Sequence, residues 1–189
     1  MNYIEQIKNY IPYDEQEVVD KEYFLKFIES FDDVLTRENI FGHFCSSAFV
    51  VNRDKTKMVV VYHIINDGWM YPGGHVDGEE DFLSVAIREV EEETGLKTTV
   101  LSDGIYAIQS LPTQSHIKKG SFIPTHTHFD VIYLLEADDN LPLIYREDES
   151  KGVKWIDFND AYNEEMVPFI RPIHKKLIKK LKQFKNIKC

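Results

Sequence analysis

The 189-residue chain is predicted to fold as an α/β protein, and three observations predict it. Candidate strands rich in Val, Ile, Tyr and Phe stand both before and after one central amphipathic helix. A second helical pattern closes the chain. Two more helical patterns precede the first strand.

Residues 2–10 and 14–31 read as helices parted by Pro12, and in the second Val18, Phe24, Leu25 and Ile28 give a partial apolar face among many acids. On this reading residues 1–40 are a helical extension and residues 41–189 the principal domain. Residues 43–52 are a strand candidate, 52–56 are turn-rich, and 57–65 (Lys-Met-Val-Val-Val-Tyr-His-Ile-Ile) form a β-branched strand. Asn66-Asp67-Gly68 signals a turn, and 69–74 lead through a short strand into a glycine loop. The central helix follows, with Leu83, Ala86, Ile87 and Val90 spaced i, i+3, i+4, i+7 as a buried face. Gly95 is placed to end it, because the residue after a helix often needs positive φ. Strands are expected at 98–101, 105–111, 127–137 and 152–158, a short helix at 160–166 and a long one at 171–185.

Composition narrows the function. Hydrophobic residues make up 43% of the chain, which suits a folded domain, and no apolar run is long enough to cross a bilayer. The N-terminus lacks a signal-peptide layout and the two cysteines, Cys45 and Cys189, make no disulfide framework, so a cytoplasmic location is expected. The net charge of −10 disfavours non-specific nucleic-acid binding. Residues 171–189 hold eight Lys and Arg and no acid, leaving 14 basic against 32 acidic residues in the rest. Ile173, Leu177, Leu181 and Phe184 form a helical stripe there, so the lysines read as its wet face rather than as a nucleic-acid or membrane patch.

Residues 74–96 are the most informative segment. Glu89, Glu92 and Glu93 stand at i, i+3 and i+4, so their carboxylates cluster on one helix face. Like charges at that spacing repel unless a cation joins them, and a hard divalent cation takes oxygen ligands. Gly74, Glu80, Arg88, Glu89, Val90, Glu92, Glu93, Gly95 and Leu96 meet every fixed position of G-x5-E-x7-R-E-U-x-E-E-x-G-U, with U aliphatic. The segment resembles the Nudix box. The resemblance implies an α/β/α sandwich around a mixed sheet. It also implies a divalent-metal-dependent hydrolase, using Mg²⁺ with Mn²⁺ able to substitute. The bond cleaved would be a pyrophosphate in a nucleoside diphosphate linked to another moiety, ADP-ribose-like or a nucleoside triphosphate. The partner is then a small-molecule nucleotide, with a homodimer as a common family assembly and no nucleic-acid or membrane partner.

The same resemblance makes Glu89, Glu92 and Glu93 metal ligands, together with a carbonyl at Gly74. Arg88 reaches Glu92 at i+4 and would hold that carboxylate in place, against the bland reading of an ordinary surface ion pair. Glu91 points away from the cluster. Glu92 or a later loop glutamate, Glu147 or Glu149, is the candidate general base. Glu80 would support the loop or join the metal through water. His75 directly follows the glycine pair and is the histidine best placed to approach substrate. His43, His63, His116, His126 and His128 show no tight zinc spacing, although His126 and His128 alternate on one strand face. Tyr106, Trp69 and Tyr71 are candidates to stack a base, with a core role as the alternative. Pro112, sixteen residues after Leu96, nearly matches the proline of some ADP-ribose-cleaving members, while Lys118 and Lys119 lie in the loop that follows.

Two rivals use the same fold: a nucleotide-binding sensor that does not cleave, and an isoprenoid diphosphate isomerase. The first would more naturally break the glutamate set, which is whole here. The second needs a cysteine just ahead of the helix, where Tyr71-Pro-Gly-Gly-His75 stands.

Overall fold

The structure is a computed structural model that describes residues 2–102, 104–118, 120–145 and 150–187. In chain order the elements are α1 (Tyr3–Asn9), α2 (Glu15–Ser30), β1 (Gly42–Asn52), β2 (Lys57–His63), β3 (Gly68–Met70), β4 (Gly73–His75) and α3 (Phe82–Thr94). There follow β5 (Thr99–Val100), β6 (Ala107–Thr113), β7 (His116–Lys118), β8 (Ser121–Ile123), β9 (His126–Ala137), β10 (Ser150–Asp157) and α4 (Arg171–Ile187). The class is α/β, as expected. The main sheet has the order β10-β2-β1-β9-β5, with β3 on β2, β4 on β1 and β6 on β9. The β1–β2, β1–β4, β2–β3, β2–β10, β5–β9 and β6–β9 ladders are antiparallel, and one parallel bridge joins Trp69 to Met166. β7 and β8 pair separately as a hairpin that the sequence reading lacked.

Two compact units divide the chain. The first comprises residues 1–47, 73–87 and 102–133. Its centre is aromatic: Phe24, Phe44 and Phe129 are fully buried, and Phe27 stacks on Phe129 with ring centroids 4.2 Å apart. Such ring pairs add about 0.5–1.5 kcal/mol beyond the area they bury. Tyr3 of α1 stacks on Phe82 and meets Phe44 edge-on. The N-terminal helices are therefore part of this unit's core. Two of their acids, Glu17 and Asp20, are buried and anchored. The Glu17 carboxylate, fully buried, accepts from the Tyr10 hydroxyl at 2.5 Å and the Tyr13 N–H at 2.8 Å. Asp20 accepts from the Ser110 hydroxyl of β6 at 2.5 Å.

The second unit comprises residues 48–72, 88–101 and 134–189. Met58, Val59, Val60 and Val61 of β2 are all buried, the continuous apolar run of a strand covered on both faces. In α4, Ile173, Leu177 and Leu181 are buried as the stripe requires, while Lys175, Lys179 and Lys182 are exposed. The Phe184 side chain lies outside the described residues.

Three expectations need correction. Residues 160–166 form turns rather than a helix, because the N–H groups of Asp160, Ala161, Asn163 and Met166 each bond three residues back. The Asn163 side chain also accepts from the Glu165 N–H at 3.0 Å, competing with helical pairing. Strand β2 stops at His63, since residues 64–67 turn and Asp67 has positive φ. The buried face of α3 is Phe82, Val85, Ala86, Val90 and Thr94, whereas Leu83 and Ile87 are half-buried. Pro112 lies inside β6, where it is exposed. Of β6's ladders only that with β9 is present among the described residues, which suits a proline on an edge strand.

Candidate functional site

Helix α3 starts with an aspartate cap. The Asp81 carboxylate accepts from the Ser84 N–H at 3.2 Å and from the Ser84 hydroxyl at 2.7 Å, and these bonds hold its pKa below the usual carboxylate range. At the far end Gly95 adopts φ +72° and its N–H bonds the Glu91 carbonyl at 2.9 Å. The cap and the buried stripe fix which way the glutamates face. Glu89 and Glu93, one turn apart, border the stripe and are half-buried, while Glu91 and Glu92 are exposed. Arg88 Nε lies 3.9 Å from Glu92 Oε1, the i+4 pairing read from the sequence. Both partners are more than 40% exposed, so the pair is weak in stability and serves at most to orient.

The loop that precedes α3 is built in the first unit. Gly74 pairs with Ser46 and Gly73 with Ser47 across β1 and β4. A Cβ at Gly73 would stand 2.1 Å from Ser47 Oγ and 2.6 Å from Ser47 Cα, so only glycine fits. The Ser47 hydroxyl donates to the buried Asp130 carboxylate at 2.6 Å, and the Ser46 hydroxyl donates to the Phe82 carbonyl at 2.6 Å. Farther along, Arg37 makes a two-pronged pair with Asp77, whose φ is +47°, and the Gly78 N–H bonds the Leu35 carbonyl at 2.9 Å. Glu80 is exposed.

Four histidines meet in this unit. His43 on β1, His75 on β4, and His126 and His128 on β9 have neighbouring ring centroids 4.8–4.9 Å apart. Strand geometry explains the meeting, since alternate residues share a face and Cys45, next but one to His43, is opposite His75. The ligand nitrogens of His43, His75 and His128 all lie within 4.8 Å of one another. His43 is 4% exposed, and among the described residues neither ring nitrogen has a well-formed hydrogen bond. Burial, then His126, lowers its pKa to about 4, against a smaller upward pull from the Asn39 backbone. The sequence reading dismissed these histidines as a metal set for want of spacing, yet it placed His126 and His128 together correctly.

Other candidates sit elsewhere. Tyr106 is 2% exposed and its carbonyl accepts from Tyr10, and Tyr71 is equally buried; both rings belong to core. Trp69 is half-buried with Lys154 Nζ 4.2 Å from its ring centroid. His63 accepts from the Asn66 N–H and so belongs to a turn. Glu147, Glu149, Lys119 and the Lys118 side chain lie outside the described residues.

Known proteins agree with this anatomy. Residues 43–181 match the family described as NUDIX domain. An RNA pyrophosphohydrolase of Pelagibacter ubique is 31% identical over 144 residues, 72% of this chain and 89% of the relative. Human nucleoside diphosphate-linked moiety X motif 6 is 28% identical over 72% of this chain and 42% of its own length. A NUDIX-family hydrolase from Clostridium perfringens superposes with TM-score 0.56 at 21% identity, over 74% of this chain and 97% of that one. An Ap4A hydrolase of C. elegans gives 0.54 at 19% identity, over 76% and 97%. With a family match across most of the chain and an unbroken box on a capped helix, the protein belongs to the Nudix family of pyrophosphohydrolases.

Proposed function

We propose that the chain is a divalent-metal-dependent hydrolase that cleaves a pyrophosphate bond in a nucleoside diphosphate linked to another moiety, ADP-ribose-like or a nucleoside triphosphate. The observation that carries this is the glutamate set on α3. Glu89 and Glu93 are half-buried one turn apart, and Glu92 stands beside them under Arg88. All-oxygen donors of this kind fit Mg²⁺, with Mn²⁺ able to substitute. Glu89, Glu92 and Glu93 would hold the ion, and the Gly74 carbonyl is proposed with them by the family pattern. When bound, the ion neutralises phosphoryl oxygens and makes water more acidic.

The rest falls to side chains. Arg88 restrains the Glu92 carboxylate, and Glu92 or Glu149 takes the proton of the attacking water. His75 and Glu80 are proposed to face substrate. Tyr106, being buried, is left as a support for the core rather than a stacking surface. RNA pyrophosphohydrolases among the sequence relatives support cleavage of an anhydride next to a nucleotide.

The test is hydrolysis across ADP-ribose, nucleoside triphosphates, dinucleoside polyphosphates, nucleotide sugars and a 5′-triphosphorylated oligoribonucleotide, with Mg²⁺ and with chelator. Turnover of one class should fall about 100-fold or more, close to 3 kcal/mol of barrier, in Glu92→Gln and in Glu93→Gln. Glu91→Gln should stay within twofold of the parent. Equal losses in all three variants would remove the glutamate assignment. Tight nucleotide binding with no turnover of any substrate would favour the sensor reading.

A further inference from the structure

We propose that His43, His75 and His128 form a second metal site, for a borderline first-row divalent ion such as Zn²⁺. It shares no residue with the carboxylate set on α3 and does not depend on the hydrolase reading.

Four observations carry it. First, three different strands deliver imidazoles to one point, with ligand nitrogens all within 4.8 Å of one another. Nitrogens on a tetrahedral zinc at 2.0–2.1 Å stand about 3.3 Å apart, so small side-chain rotations close the set. Second, His43 is 4% exposed, and among the described residues its ring has at most a weak bond to the Asn39 backbone, so at least one nitrogen is left unsatisfied, a state that costs stability unless something meets it. A metal accepts the one lone pair of the neutral ring, and the other nitrogen carries the proton.

Third, His128 is buttressed. His126 Nδ1 is 2.8 Å from the Pro124 carbonyl, and a carbonyl only accepts, so that nitrogen carries the proton. The His126 Nε2 lone pair then lies 3.1 Å from His128 Nε2, which donates to it and leaves the His128 lone pair on Nδ1. This relay of carbonyl, imidazole and imidazole is how proteins fix the tautomer and direction of a ligating histidine. Fourth, the donors are all imidazole, which suits Zn²⁺, Ni²⁺, Co²⁺ or Cu²⁺ and not the hard ions that carboxylates attract. Three protein ligands leave a fourth position for water or a substrate oxygen.

The experiment uses the whole chain, stripped with chelator and titrated with Co²⁺ and then Zn²⁺. Binding of one Co²⁺ should give the intense visible bands of a four-coordinate ion, and Zn²⁺ should erase them. Both should persist in the Glu92→Gln/Glu93→Gln double variant, while His75→Gln and His128→Gln should each weaken binding about 100-fold. Weak six-coordinate bands, affinity unmoved by the histidine substitutions, or affinity lost in the glutamate double variant would each overturn the site. If a histidine variant fails to fold by circular dichroism, X-ray absorption of the zinc-loaded parent decides. A shell of imidazole nitrogens supports the proposal and a shell of oxygens alone refutes it.

Discussion

His174 should make the protein acid-sensitive above the range where carboxylates titrate. Its side chain is fully buried in α4, with Nδ1 2.7 Å from the Ala161 carbonyl and Nε2 without a hydrogen bond among the described residues. Burial outweighs that one hydrogen bond and lowers its pKa to about 4 from an ordinary 6.5. A group whose folded pKa is depressed contributes its full stability above the unfolded value and loses it as pH falls toward the folded value. Here the loss runs from pH 6.5 to 4, at about 1.4 kcal/mol per pH unit, and reaches about 3 kcal/mol. That is a large part of the 5–15 kcal/mol typical of a domain. Asp67, Asp81, Asp138 and Asp139 are held below the usual 3.8, so their losses come at lower pH. His43, also near 4, titrates in the same window. Urea unfolding at half-unit steps from pH 7 to 4, with chelator present, should give a slope of stability against pH that is steeper by up to one proton in the parent than in His174→Leu. The variant will also be offset by the lost Ala161 bond, by about 1 kcal/mol at every pH. Identical slopes in the two proteins would refute the reasoning.

Two further outcomes are expected. Gly73→Ala forces a methyl into Ser47 and should cost about 1–3 kcal/mol, read as a drop of about 2–4 °C in Tm per kcal/mol, with Ser47→Gly in the same chain recovering part of it. Ser110→Ala leaves Asp20 short of the hydroxyl it holds at 2.5 Å and should cost about 1–3 kcal/mol in urea unfolding; an unchanged midpoint would show that water replaces the bond.

Local signals were legible in the sequence and tertiary pairings were not. The box helix ends at Gly95 as its chemistry dictates, yet its buried face is centred on Phe82, Val85 and Val90. A stripe counted from Leu83 fits the 3.6 period almost as well one position out of phase. Nothing in the spacing of α2 marks Glu17 and Asp20 as buried, because their partners, Tyr10 and Ser110, are supplied by other parts of the chain. The glutamate set needed only one helix and could be read directly. The histidine set needs the registers of β1, β4 and β9, and positions 43, 75, 126 and 128 have no spacing that announces them. The alternation of His126 and His128 was the one local trace.

The cover that α1 and α2 give to Phe44, Phe82 and Phe129 separates two boundaries that are often equated. The family match begins at residue 43. Thermodynamic cooperation begins some forty residues earlier, since without Tyr3, Phe24 and Phe27 those rings would face water. The range of the family match thus leaves out Tyr3, Phe24 and Phe27, which complete this chain's own aromatic core.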